Sequence, residues 1–196
     1  MLSRGESLGP IELLYDLRQT FDAIAATYGS DRAMVAEAVA NPVLCINRLR
    51  EILPPPGGRP YGRRPLYVTP DMEVIIMNWA IGGVCLPHDH GESEGWVKVL
   101  CGVSTHRVFS EDRSRPVVTE TQEIGDAVFY AKPGLIHSMA NETSGPLVTL
   151  HFYFPPIHAM EVFDTEESRA AIVADDCGAW WPESDEQIVR VRALEE

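Results

Sequence analysis

Five consecutive residues, Pro54-Pro55-Pro56-Gly57-Gly58, divide the chain, because neither a helix nor a central strand passes through such a run. Before them the apolar residues Ile11, Leu14, Leu17, Phe21, Ile24 and Tyr28 recur at spacings of three and four. With Pro10 suited to a first helical turn and Gly29 to an end, they predict a helix from Pro10 to Tyr28. A second helix is expected from Ser30 or Asp31 to just before Pro42, and a third from Asn41-Pro42 to about Leu53. After the break, β-rich runs at Val74 to Trp79, Trp96 to Leu100, Asp126 to Tyr130 and Leu147 to Phe154 alternate with Gly and Pro turns. The two textures predict a mainly β barrel or sandwich with N-terminal α-helices laid over it.

The 196 residues suit one hydrophobic core. Residues 1–58 are expected to be a helical cover, 59–160 the β-barrel, and 161–196 a C-terminal extension, partly helical or loose from Pro182 onward. A net charge of -13 opposes contact with phosphate backbones, so nucleic acid is not an expected partner. No apolar run approaches the roughly 20 residues that span a bilayer, and the start MLSRGESLGP lacks the apolar stretch of a secretory signal. Cys45, Cys85, Cys101 and Cys177 show no CxxC spacing, which fits a reduced, cytoplasmic setting. No pattern in the sequence sets an oligomeric state.

The chemistry concentrates at Pro87-His88-Asp89-His90-Gly91. In an extended segment alternate side chains face the same way, about 7 Å apart, so His88 and His90 can converge on one ion while Asp89 points away. Alone, an HxH is as readily an exposed polar strand end. A second segment, Pro133-Gly134-Leu135-Ile136-His137, supplies a third histidine just after a tight turn. The last of the β-runs contains Thr149-Leu150-His151-Phe152-Tyr153, so Thr149, His151 and Tyr153 share one face. Without a metal nearby, His151 there would be an ordinary core histidine.

Gly82 six residues before His88, Gly102 after it, then Gly125-Asp126 and the PGxxHxxxN spacing to Asn141, resemble the paired motifs of cupins. That resemblance implies a double-stranded β-helix (jelly-roll barrel) with its ligands in the mouth. Many cupins add a glutamate ligand. Its usual position, counted from Gly102, is Gly95 here, and Glu94 lies one residue out of register, which reverses direction in a strand. The expected metal ligands are therefore His88, His90 and His137 alone. Imidazole suits several transition metals, so ligand type alone does not select one.

Several segments together resemble the cysteine dioxygenase family over about residues 61 to 156. They are HDHGESEGWVKVLCG, GLIHSMAN, TLHFYFPPI, Tyr61-Gly62-Arg63, and Trp79 in the strand before the ligands. The resemblance implies an Fe(II) thiol dioxygenase that oxidises L-cysteine with O2 to cysteine sulfinic acid. Its substrate carboxylate would be held by Arg63, with Tyr61 sharing it, and Tyr153 would stand near the reacting atoms, oriented by His151 and Thr149. A guanidinium can bind a carboxylate through two parallel hydrogen bonds; Arg64 next door leaves that assignment open by one residue. The cysteine that cross-links to the tyrosine in the family's animal members falls at Gly95, so no thioether to Tyr153 is expected. Cys85 is read as a packed residue, His106 and His158 as surface or structural.

Three other readings remain open at this point. One is a dioxygenase for another small thiol such as 3-mercaptopropionate, although relatives with that preference tend to carry glutamine at the Arg63 position. Another is a cupin enzyme of different chemistry with three histidines and Glu94 on the metal. The third is a sugar- or small-molecule-binding cupin with a vestigial or absent metal.

Overall fold

The computed structural model describes residues 10–29 and 31–195 of the chain. Residues 1–9, Ser30, Glu196 and the side chains of residues 10–14, Ile11 and Leu14 among them, lie outside what is described. Helix α1 (Pro10–Ala25) ends in a turn through Gly29, whose φ of 90° suits glycine. Helix α2 (Arg32–Val39) begins on Asp31, whose side chain accepts from the Ala33 amide at 3.0 Å. The third helix is shorter than the sequence predicts. Helix α3 covers Ile46–Leu49 and tightens into a 3-10 turn at Arg50–Ile52. Residues 41–44 form a turn instead, because the Asn41 side chain accepts from the Val43 amide at 2.9 Å and competes with the helical ladder.

Eleven strands follow among the described residues: β1 (Tyr61–Val68), β2 (Glu73–Trp79), β3 (Glu94–Cys101), β4 (Val103–Phe109), β5 (Val118–Gly125), β6 (Val128–Ala131), β7 (His137–Ala140), β8 (Leu147–Phe154), β9 (Glu161–Asp164), β10 (Arg169–Val173) and β11 (Ile188–Ala193). One sheet has the order β1-β2-β8-β3-β6. Two three-stranded sheets, β5-β4-β7 and β11-β10-β9, face the site from the other side. They are joined through the segment around His88, which bridges both His137 of β7 and Val162 of β9. Tyr61 and Arg63 lie on β1, an edge strand where Pro65 is tolerated beside a register shift between Pro65 and Tyr67. One expectation changes here. The acidic tail is not loose: Ile188-Val189-Arg190-Val191-Arg192 alternates and pairs with β10.

Every residue of β8 is buried, because its sheet is covered on both faces. Val148, Leu150, Phe152 and Phe154 join Val74, Ile76 and Trp96 in a core with Leu17, Phe21 and Ile24 of α1 and Val35 and Val39 of α2. Leu147 and Tyr153 face the opposite core with Tyr61, Ile75, Met77, Trp79 and Val97. The N-terminal helices therefore cover the outer face of the five-stranded sheet and leave its inner face to the site. No helix among the described residues is long and apolar enough to cross a membrane.

Candidate metal centre

Three imidazoles converge on the inner face. His88 and His90 come from the segment between β2 and β3 and His137 from the start of β7; one nitrogen of each lies within 4.8 Å of the others. Backbone pairing sets this arrangement. His88 and His137 exchange both amide hydrogen bonds at 2.9 Å, and Gly134, with φ of 71°, makes the turn that delivers His137. Asp89 points away, as alternation requires. Its carboxylate accepts from the amides of Gly91 (3.0 Å) and Glu161 (3.1 Å) and pairs with Arg113, which also pairs with Glu161 at 2.5 Å.

The second nitrogen of each ring decides which one is available to a cation. His88 Nδ1 donates to the Leu86 carbonyl at 2.9 Å, leaving Nε2 unprotonated. His137 Nδ1 meets Nε2 of His106 at 2.8 Å, while its Nε2 lies 3.1 Å from His90 Nε2. Burial pushes His88, His90 and His137 below the ordinary histidine range, His90 and His137 well below it, and neighbouring imidazoles push those two further. Two neutral ring nitrogens facing each other at that distance, with a third converging, suit a cation between them. The donor set fits a transition metal, and no carboxylate joins it among the described residues. Glu94 is engaged elsewhere: it accepts from Tyr130 Oη at 2.6 Å and Arg32 Nε at 3.1 Å, beside the helical cover.

A side-chain relay runs along β8 beside the three rings. The Trp79 indole N–H, which can only donate, donates to Thr149 Oγ1 at 2.9 Å. Thr149 Oγ1 in turn lies 2.8 Å from His151 Nε2. Burial holds His151 neutral, its pKa pushed down to about 3, so it carries one ring proton, and its Nδ1 lies 2.9 Å from Tyr153 Oη. With that proton on Nδ1, the Tyr153 hydroxyl hydrogen is free for a molecule in the pocket. Burial also raises the Tyr153 pKa well above the usual phenol range, which makes it a donor and not a base. Its ring stands 4.7 Å from that of His90.

Arg63, Tyr61, Tyr153 and His88 line one pocket with the apolar Ile75, Met77, Ile157 and Met160. Arg64 is exposed, whereas Arg63 lines the pocket. One edge of the Arg63 guanidinium is engaged, Nη1 donating to the Cys177 carbonyl at 2.5 Å; its Nε is buried without a partner. A desolvated donor of this kind calls for an acceptor from a ligand. Tyr61 Oη accepts from the Ala179 amide at 2.8 Å and keeps its own hydrogen to donate. A Cβ on Gly95 would lie 3.0 Å from the Tyr153 ring, so that position abuts the ring while carrying no sulfur.

His106, left by the sequence as surface or structural, is fully buried against His137; no sequence signal marks that contact, since the two are 31 residues apart and the pairing of β4 with β7 brings them together. Cys85 is packed, its Sγ accepting from the Met139 amide at 3.2 Å, and burial pushes its thiol to about 12. All four cysteines are free. His158 is exposed and paired with Asp175. The peptide bond before Pro155 is cis and that before Pro87 is not.

Comparison with known proteins gives a family and a set of structural likenesses. The family model described as cysteine dioxygenase type I matches residues 63–166. Among solved structures, an uncharacterized conserved protein with a double-stranded beta-helix domain from Klebsiella pneumoniae is 18% identical, aligned over 57% of this chain and 90% of that one, with a TM-score of 0.49. A protein from Thermus thermophilus is also 18% identical, over 55% of this chain and 93% of that one, at 0.47. An oxalate oxidase is 14% identical over 57% and 58%, at 0.46. The fold is mainly β, a cupin double-stranded β-helix with N-terminal helices.

Proposed function

The chain belongs to the cysteine dioxygenase type I family, and from that premise we propose that it is an Fe(II) thiol dioxygenase converting L-cysteine and O2 to cysteine sulfinic acid. His88, His90 and His137 would hold the iron. When bound, iron(II) supplies the Lewis acidity that favours a thiolate and the redox capacity that dioxygen chemistry needs. The single observation that carries the substrate reading is the buried, unpartnered Nε of Arg63 in the same pocket as His88 and Tyr153.

With Nη1 held by the Cys177 carbonyl, Arg63 has Nε and Nη2 left as a parallel pair of donors for a carboxylate. Tyr61 adds a hydroxyl. A carboxylate fixed there points the rest of a small thiol toward the three histidines, which replaces a chance encounter with a fixed approach. Tyr153 then donates its free hydrogen to the reacting sulfur and the oxygen arriving at it, as an oriented dipole in a site shielded by Ile75, Met77, Ile157 and Met160. A ring proton on His151 Nδ1 would keep that hydroxyl from turning its hydrogen back toward the imidazole. Both atoms of dioxygen pass to the one sulfur, so no organic cosubstrate is required.

Iron-loaded protein given L-cysteine under isotopically heavy dioxygen is expected to release sulfinic acid carrying two heavy oxygen atoms, read by mass spectrometry. Product with a single heavy atom, or hydrogen peroxide without sulfinate, contradicts the proposal.

A further inference from the structure

We infer that the segment Asp175–Trp181, beyond the stretch matched to the family, is a specificity-determining spacer that fixes the distance between the carboxylate clamp and the three histidines. This rests on the proposed function, since it takes the Arg63 pocket as the seat of a carboxylate-bearing thiol. The segment leaves β10 and returns toward β11, and along the way its backbone hydrogen-bonds to groups of the site. The Cys177 carbonyl accepts from Arg63 Nη1 at 2.5 Å. The Ala179 amide donates to Tyr61 Oη at 2.8 Å, and the Ala179 carbonyl accepts from the Leu86 amide at 2.9 Å. The Leu86 carbonyl in turn accepts from His88 Nδ1 at 2.9 Å. The clamp and the first histidine are thus tied through one short length of backbone.

Side chains of the segment hold it in place. The Trp180 ring packs on Tyr61 at 5.2 Å and lies under the Arg59 guanidinium at 4.8 Å. Gly178 makes this fold possible: a Cβ there would fall 2.0 Å from Trp180 Cζ3. Arg63 and Tyr61 are on the edge strand of the five-stranded sheet, whereas His88 belongs to the opposite layer. No strand pairing among the described residues joins the two directly, so the spacer does what the sheets do not. A fixed separation selects by length. A thiol whose sulfur and carboxylate match that separation binds at both ends, and one lacking the carboxylate gains nothing from the clamp.

The test uses the full chain loaded with cobalt(II), which binds thiolate with a strong near-ultraviolet band and needs no turnover. Gly178→Ala and, in case that variant does not fold, Trp180→Leu are titrated with L-cysteine and with cysteamine, which has no carboxylate. The expected result is a Kd for L-cysteine raised by roughly tenfold or more, the loss of one charge-assisted contact, with the Kd for cysteamine within about twofold of wild type. In the iron-loaded protein the same change appears as a raised KM with kcat retained. Equal weakening of both thiols, or no change in either by a folded variant, overturns the inference. Failure of the thiol dioxygenase reading shows elsewhere, as wild-type protein that takes up no oxygen with any thiol.

Discussion

Replacing His137 with alanine is expected to abolish stoichiometric iron binding and, with it, oxygen uptake. Structural zinc sites built from four side chains gain roughly 10–16 kcal/mol, about 3 kcal/mol per ligand, and on that scale losing one ligand costs a factor of about a hundred in affinity. With three imidazoles in the set, no spare side chain among the described residues takes its place, since Glu94 is engaged by Tyr130 and Arg32. The backbone position of residue 137 is secured independently by pairing with His88 and Val108. The variant should therefore fold, with the far-ultraviolet dichroism of wild type, and metal analysis of the purified protein should find iron near background. Iron retained at one equivalent would remove His137 from the centre.

Arg63→Ala is expected to raise the KM for L-cysteine by about a hundredfold and to leave turnover of cysteamine almost unchanged. Hydrogen bonds to a charged partner contribute roughly 1.5–3 kcal/mol each, and the Nε and Nη2 pair would lose both. Alanine also strips the Cys177 carbonyl of its donor, so part of the effect is a loosened pocket wall. Lysine should recover little, because an ammonium is a point charge and does not reproduce the planar fork. Steady-state kinetics with the two thiols checks this: an equal loss with both would mean that Arg63 supports the pocket without reading a carboxylate.

The fold could be read in the sequence where a periodic pattern coincided with burial. The spacing from Leu17 to Ile24 marked α1, and the β8 run showed itself through continuous apolar and β-branched residues. The HxH alternation and the turn before His137 were local signals, and the structure brings those three rings together. Other features depend on contacts distant in sequence. His106 reaches His137 only through the pairing of β4 with β7, and the spacer at Asp175–Trp181 contacts Tyr61 and Arg63 from more than a hundred residues away. Two errors were local. The Asn41 side chain diverted the start of the third helix, and the acidic character of the C-terminal stretch masked the alternation of β11.

The measurement that tests the account most directly is oxygen uptake by the iron-loaded wild-type protein, followed electrochemically with L-cysteine, 3-mercaptopropionate and cysteamine in parallel. The account predicts rapid uptake with L-cysteine at one O2 per thiol consumed, and slow uptake with cysteamine, which the Arg63 clamp cannot hold. No uptake with any thiol by protein carrying one equivalent of iron would contradict it.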